Sequence, residues 1–385
     1  MTNSEPIVII GGGPVGLALA LSLQQKSIPF KLIEARAQGA SHQDKRALAL
    51  SYGTKQILET LGVWAPVEAQ ATAIDTIHIS QRGGWGRAKL QAHEHRLPAL
   101  GYVVSYGALM HALDSAIDHA NIMYEAIARQ IDPGTQTATV MFDYAGSSHT
   151  YLSPLLVIAD GGRSLEDVPG LMRETKAYGH DALVSKVKAE VPHQHIAYER
   201  FTPSGPMALL PNGARDFSLV WTGEKAMVDQ LLALDDAAFL QALHEAFGDR
   251  VGKFLSIEKR ISFPLKLSSL SVTDTPHVVV IGNAAQTMHP VAGQGFNVGM
   301  RDAWTLSSLL SQSPTSEWGS ASMLDTYRKQ RHSDTRGGLL FTDFLVNIFT
   351  NPMPGIASLR GLGLAMMECL PPIKRLLVNK MSFGK

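Results

Sequence analysis

Residues 6–36 read PIVIIGGGPVGLALALSLQQKSIPFKLIEAR. The apolar run at 7–10 suits a strand buried on both faces of a parallel sheet. Gly11, Gly13 and Gly16 follow in a Gly-x-Gly-x-x-Gly turn. Pro14 sits where a helix begins and a missing N–H costs least. FKLIE at 30–34 then reads as a second parallel strand, so the stretch is a βαβ unit. Its glycines permit a sharp turn, close approach of backbone to a pyrophosphate, and tight packing of helix on strand. The helix start offers unpaired N–H groups and the positive end of its dipole to phosphate. Glu34 stands at the strand end, where an acid pairs with ribose hydroxyls. The unit predicts a dinucleotide site in an α/β fold.

Working outward, DKRALALSYGTKQILETLGVW (44–64) holds a helical stretch at 53–61 with Gly62 as its stop. Short strands are expected from about 74 to 104, and GALMHALDSAIDHA (107–120) returns to helical period. TATVMFDY and LLVIADG are strand-like and lead back to the first unit. Residues 178–265 alternate as ALVSKVKAEV and DFSLVWTG do, around a helical DDAAFLQALHEAF, which suits a largely antiparallel sheet. HVVVIG (277–282) resumes the parallel-strand style, and the remainder is mostly helical. The expected organisation is a discontinuous nucleotide domain (1–73, 105–177, 266–330), an inserted substrate domain (74–104, 178–265) and a helical C-terminal region (331–385).

Bulk composition narrows the function classes. The 385 residues carry a formal net charge of +0, so nothing points to nucleic acid. One cysteine, Cys369, excludes an internal disulfide framework and fits a reducing compartment. The N-terminus has no signal-peptide pattern, and no apolar run nears the ~20 residues that span a bilayer. The expected location is the cytoplasm, with a peripheral position on the inner membrane face as the alternative.

Two later stretches carry chemistry. ADGGRS (159–164) ends a strand in an Asp-Gly turn, and alone it reads as an ordinary turn. GNAAQTMHPVAGQGFNVGMRD (282–302) puts Gly282, Ala284 and Ala285 after a strand, and Gly293, Gly295 and Gly299 around a helix start. As isolated glycines these are packing devices. HEH (93–95) and HQH (193–195) lack a spaced carboxylate or cysteine companion, so solvated strand or loop is expected and no metal site. Cys369, in an apolar helical stretch, is expected to pack.

Taken together and in this order, GGGPVG, ADGGRS and GNAAQTMHPVAGQGFN resemble the single-component flavin-dependent aromatic hydroxylases. The wording of the third motif, KRALAL (45–50) and the ending FTDFLVNIF with LRGLGLAMMECLPPIKRLL are similar to the branch that hydroxylates ubiquinone precursors, closest to its 2-polyprenyl-6-methoxyphenol hydroxylases. The resemblance covers essentially the whole chain. It implies a Rossmann-like FAD-binding domain with an inserted antiparallel-sheet substrate domain, the aromatic-hydroxylase fold. It implies an FAD monooxygenase that uses NADH or NADPH as transient reductant, and O2, to hydroxylate a polyprenylated phenol ring.

By the same resemblance, Gly11, Gly13, Pro14, Val15, Gly16, Glu34, Ala35 and Arg36 hold the adenosine and pyrophosphate end of FAD, and Arg46 lies near the flavin or its pyrophosphate, with a solvated helix-end cation as the alternative. Asp160 and Gly161 come from the middle motif. Gly282, Asn283, Ala284, Pro290, Gly293, Gln294, Gly295, Phe296 and Asn297 take the ribityl and isoalloxazine end. Pro290 would shape the oxygen pocket. His289 is a proton-transfer candidate because a histidine ordinarily titrates near neutrality, while a His before Pro in a turn more often packs or hydrogen-bonds. Asn283 replaces the Asp of the wider family and can still bond a ribityl hydroxyl. Asp167 stands where the middle motif usually ends in Arg, so the docking site of the reductant stays open. The C-terminal helices would cover the FAD domain, with Lys374, Arg375 and Lys380 facing anionic headgroups. Other quinone-synthesis enzymes are expected partners. A flavoprotein acting on a different aromatic compound and a flavin-retaining assembly component stay open as alternative functions.

Overall fold

The computed structural model describes residues 5–84, 86–165, 168–272, 275–287, 294–350 and 356–384. Ile7–Ile10 is the central strand of a five-stranded parallel sheet. Its order is Val278–Val280, Leu156–Ile158, Ile7–Ile10, Phe30–Glu34, Ile122–Tyr124. Ile7 and Ile9 face the helices Pro14–Gln25, Tyr106–Ala116 and Gln294–Gln312, packing with Leu17, Leu21 and Met300. Val8 and Ile10 face the other way, toward Ile131, Val140 and Phe142 of a three-stranded sheet, Ile127–Asp132, Ala138–Tyr144 and Ser147–Ser153. Both faces are therefore covered, which is why the strand is apolar without alternation. Each such side chain removed from water contributes about 1.5–3 kcal/mol.

The second layer is a nine-stranded, mainly antiparallel sheet. Its path runs Gln286–Thr287, Ile261–Val272, Leu171–Ala189, Asp216–Glu224, Gly205–Asn212, Ile196–Thr202, Thr76–Gln81, Arg87–Gln91, with Phe254–Ile257 also on Leu171–Ala189. Ile196–Thr202 pairs with Thr76–Gln81 in parallel, which binds the 76–91 hairpin to the later insertion. On the back of this sheet Lys225–Ala233 and Asp236–Phe247 bury Leu219, Trp221, Leu183 and Met207.

The expected borders meet continuous elements. Residues 177/178 and 265/266 fall inside Leu171–Ala189 and Ile261–Val272, which pair from Leu171↔Val272 to Val184↔Ile261 across one irregularity. A ladder that satisfies its own backbone groups needs no break where side-chain composition changes. The 74–104 segment divides: Gly101–Ser105 pairs with Ala47–Ser51 and Thr72–Ile74 in a separate small sheet. Helix Ala321–Thr350 likewise runs through the expected border at 330/331.

Among the C-terminal helices, Ile356–Cys369 places Leu364 and Met367 against Ala88, Leu90 and Phe201. Pro371–Phe383 lies on Tyr52–Thr60, close enough that a Cβ on Gly53 would stand 2.4 Å from Ser382 O. Two expectations are corrected here. Cys369 ends its helix exposed rather than packed. Lys374 is buried, with Nζ 3.1 Å from Glu368 and 3.5 Å from Glu94, so its charge is spent inside the protein and does not face outward.

Candidate active site

A cleft of ≈ 1350 Å³ runs between the parallel sheet and the nine-stranded sheet. Its first wall is the opening motif. The N–H groups that start helix Pro14–Gln25 take no side-chain cap, and Gly13, Pro14 and Val15 line the cleft. A Cβ on Gly13 would meet nothing within 4 Å, so this backbone lies open to a ligand. Gly11 (φ +106) and Gly16 serve packing instead. A Cβ on Gly16 would stand 1.9 Å from Gly11 O, and one on Gly11 2.6 Å from the Cα of Asp160. The first and middle motifs thus touch at Gly11. Open donors with an uncrowded glycine fit a pyrophosphate group.

Glu34 is buried at the end of its strand. Its Oε1 accepts from Arg36 N (2.8 Å) and Nε (2.7 Å), and its Oε2 from Gly12 N. Burial opposes its charge, but the Arg36 bonds and the Gly12 N–H together hold the carboxyl below the usual range. Ala35 and Arg36 also line the cleft. Arg46 is exposed on the same wall, gripped by Asp44 (Nη2–Oδ2 2.6 Å) and set 5.0 Å from the Tyr106 ring centroid.

In the middle motif Asp160 turns its carboxylate onto its own loop. Oδ1 accepts from Gly162 N (2.9 Å) and Arg163 N (3.2 Å), and Oδ2 from Ser164 N (2.8 Å) and Ser164 Oγ (2.6 Å). Asp160 thereby shapes the turn that presents Gly161 to the cleft.

The late motif meets the first at Val15. A Cβ on Gly282 (φ +65) would stand 3.3 Å from Val15 Cγ1, and one on Gly299 3.0 Å from both Val15 Cγ2 and Gly282 Cα. Asn283 is exposed and lines the cleft with Phe296, and its Oδ1 faces the start of the next helix, 3.7 Å from where Gly295 would carry a Cβ. Gly282, Ala284, Gln294 and Asn297 are buried behind them. Asn297 departs from its expected place against the isoalloxazine. Its Oδ1 accepts from Ser51 N and Thr54 Oγ1, both 2.8 Å, and its Nδ2 donates to Ala49 O (3.0 Å). The helix turns it toward the strand Ala47–Ser51, whose edge backbone it satisfies. His289, Pro290, Gly293 and Asp167 lie outside the described residues.

Sequence reasoning missed three groups. Arg173, from the long strand Leu171–Ala189, donates to Asn283 O (3.1 Å) and reaches Gly162 O (3.5 Å), strapping the middle loop to the late one. Nothing in the motifs signals it. Arg301 and Asp302 close the quoted motif but belong to a buried network under the Gly282 turn, with Arg331 and Asp334. The third group is the far wall, where Ala182, Val184, Leu210, Val220, Phe263 and Leu265 present an apolar sheet face. The HEH and HQH motifs lie elsewhere. His93 and His95 sit in the short helix Ala92–His95, and His193 is buried, bonded through Nε2 to Gly213 O, not solvated. Among the described residues no group of three or more His, Cys, Asp or Glu could hold a metal ion.

Comparison with known proteins agrees with this geometry. The FAD binding domain family matches residues 4–337. The ubiquinone hydroxylase UbiL of Rhodospirillum rubrum is 32% identical, over 97% of this chain and 88% of its own. The 3-demethoxyubiquinol 3-hydroxylase of Escherichia coli is 30% identical, over 97% and 98%. Among solved structures, p-nitrophenol 4-monooxygenase PnpA of Pseudomonas putida superposes with a TM-score of 0.78 at 16% identity, covering 98% of both chains. HpxO of Klebsiella pneumoniae, complexed with FAD and uric acid, gives 0.76 at 18% identity, covering 100% of this chain and 97% of that one. These last two speak for the fold. With the glycine turn, the Asp-Gly loop and the late loop meeting on one cleft, the chain belongs to the FAD-binding domain family, among the FAD-dependent aromatic hydroxylases of ubiquinone biosynthesis.

Proposed function

We propose that this protein hydroxylates the aromatic ring of a polyprenylated phenol on the way to ubiquinone. The observation that carries this reading is the cleft itself, in which an open glycine turn faces an apolar sheet wall across ≈ 1350 Å³. Bound FAD, reduced by NADH or NADPH, supplies the activation of O2 and the transfer of one oxygen atom to the ring.

The chain's own residues bind, orient and exclude water. The helix start at Gly13–Val15 would hold the pyrophosphate with its free N–H groups, and Glu34 the adenosine ribose. Arg46 would face the pyrophosphate. Asn283 and the Gly282 turn would take the ribityl chain, and Phe296 would border the ring system. Val184, Val220 and Phe263 give an apolar ring a place to lie and keep water from it, which strengthens the polar contacts opposite. Pro290 keeps the role implied by the family, shaping of the oxygen pocket, and His289 the proton transfer that a near-neutral side chain allows.

A peripheral membrane position fits the substrate class. Met366, Leu370, Ile373 and Leu376 are all exposed at the turn between the last two helices, with Arg375 beside them. No helix among the described residues is long and apolar enough to cross a membrane.

The test is to delete the gene and identify by mass spectrometry the quinone precursor that accumulates, then restore the chain. A precursor one hydroxyl short, cleared on complementation, is expected. Normal quinone in the deletion strain would refute the reading, as would purified protein that takes up no FAD.

A further inference from the structure

The back of the large sheet, facing away from the cleft, carries a second concentration of charge. Cross-strand pairing sets Arg87 and Arg200 on either side of Ser80, and Lys89 and Tyr198 on either side of His78. Toward the middle of this face the helix Asp236–Phe247 covers the sheet. That cover stops at Gly248 (φ +85), and the chain turns into Asp249–Val251, which brings Arg250 over the same rows. Arg82, Arg87, Lys89 and Arg250 are exposed there, while Arg200 is half-buried.

The charges on this patch have little to answer them. Among the described residues Arg200 bonds only neutral acceptors, Ala246 O and Ser80 Oγ, each at 3.3 Å. The end of the helix at Ala246 offers a partial negative charge of about half a unit. Burial, with repulsion from Arg250 and Arg82 added, brings the Arg200 guanidinium down to about 10. Of the nearby carboxylates, Asp249 faces His244, and Glu368 is held at the patch edge by Lys374 and the backbone N–H of Lys89, not by the arginines. Among the described residues no carboxylate pairs with Arg82, Arg87, Arg200 or Arg250. Beneath them His78 is only 7% exposed, and its Nδ1 has no hydrogen-bond partner.

A half-buried guanidinium among like charges is costly unless an anion offsets it. Guanidinium forks match phosphate oxygens in geometry as well as charge. We propose that Arg82, Arg200 and Arg250 form a binding site for a phosphate group, on the opposite side of the sheet from the flavin cleft. The group is either a phospholipid headgroup or a free phosphate ester. The site goes beyond the hydroxylase reading and does not depend on it.

The test uses the full chain saturated with FAD, so that the cleft is closed to competing anions. Inorganic phosphate is titrated by calorimetry at constant ionic strength, and co-sedimentation is measured with phosphatidylcholine vesicles with and without phosphatidylglycerol. Saturable binding is expected, weakened at least tenfold by Arg82→Gln, Arg200→Gln or Arg250→Gln. Arg82 and Arg250 are exposed, so their variants keep the test valid should Arg200→Gln fail to fold. Arginine-dependent binding to phosphatidylglycerol vesicles names the lipid as source, and arginine-dependent binding of phosphate alone names a free ester. No saturable binding in either arm, or binding that all three substitutions leave unchanged, overturns the site.

Discussion

The backbone N–H of Gly282 donates to Asp302 Oδ2 across 3.0 Å, so a buried carboxylate holds the turn that presents Asn283 to the cleft. Asp302 is answered by Arg331 (2.7 Å), Arg331 by Asp334 (2.7 Å), and Asp334 by Arg301 (2.6 Å). The Gly282 turn therefore draws its position from the helix Ala321–Thr350, far along the chain.

Removing Asp302 leaves the buried Arg301–Asp334–Arg331 cluster one carboxylate short, with two guanidinium groups sharing Asp334, a loss of about 3–5 kcal/mol. Asp302→Ala is expected to lose that much in urea unfolding of the FAD-free protein. Asp302→Asn still accepts from Gly282 and loses less. Equal losses would show that the Gly282 bond contributes nothing.

The two glycines of the opening turn part company. Gly16→Ala puts a methyl group on Gly11 O and lowers the stability of the FAD-free protein well beyond ~0.5 kcal/mol. Gly13→Ala meets nothing in the protein and leaves that stability within about 0.5 kcal/mol. It crowds the pyrophosphate instead and weakens FAD at least tenfold, ~1.4 kcal/mol. Thermal melts with flavin-fluorescence titration separate the two, and a Gly13→Ala protein with normal FAD affinity would contradict the placement.

Glu34 supplies a pH dependence. Its folded carboxyl lies below the usual range, so its stabilisation is complete above the ordinary carboxylate range and is lost as pH falls through the folded value. Glu34→Gln is expected to be less stable than the parent at about pH 7, and the gap is expected to close as pH falls through the folded carboxyl's lowered range. Parallel melting curves across that range would refute the assignment.

Val184 and Val220 face each other across two strands on the apolar wall. Val184→Asp puts a charge where the phenol ring would lie, and an unpaired polar group there costs ~1–3 kcal/mol. FAD content should stay normal while KM for the prenylated phenol rises about tenfold or more. Unchanged KM would move the substrate elsewhere.

Arg173 shows why part of the site is not legible in the chain. It acts on Gly162 and Asn283, 11 and 110 residues away, and only the pairing of Leu171–Ala189 with Ile261–Val272 brings the three together. Asn297 shows the opposite case, a residue legible as part of a motif whose side chain is claimed by Ala49, Ser51 and Thr54. Membership of a motif says that a residue is near the ligand, but the rotation of its helix says which way it points.

The βαβ unit, its dinucleotide site and the order of the three loops were legible in the chain, because glycine spacing and apolar runs act within a few residues of themselves; FAD as the dinucleotide came from the family resemblance of the three motifs together. How the loops share one cleft, which carboxylate holds the Gly282 turn and where Lys374 and Cys369 end were settled by the fold. Those outcomes depend on side chains that approach across long stretches of chain, where packing and charge pairing choose the partner.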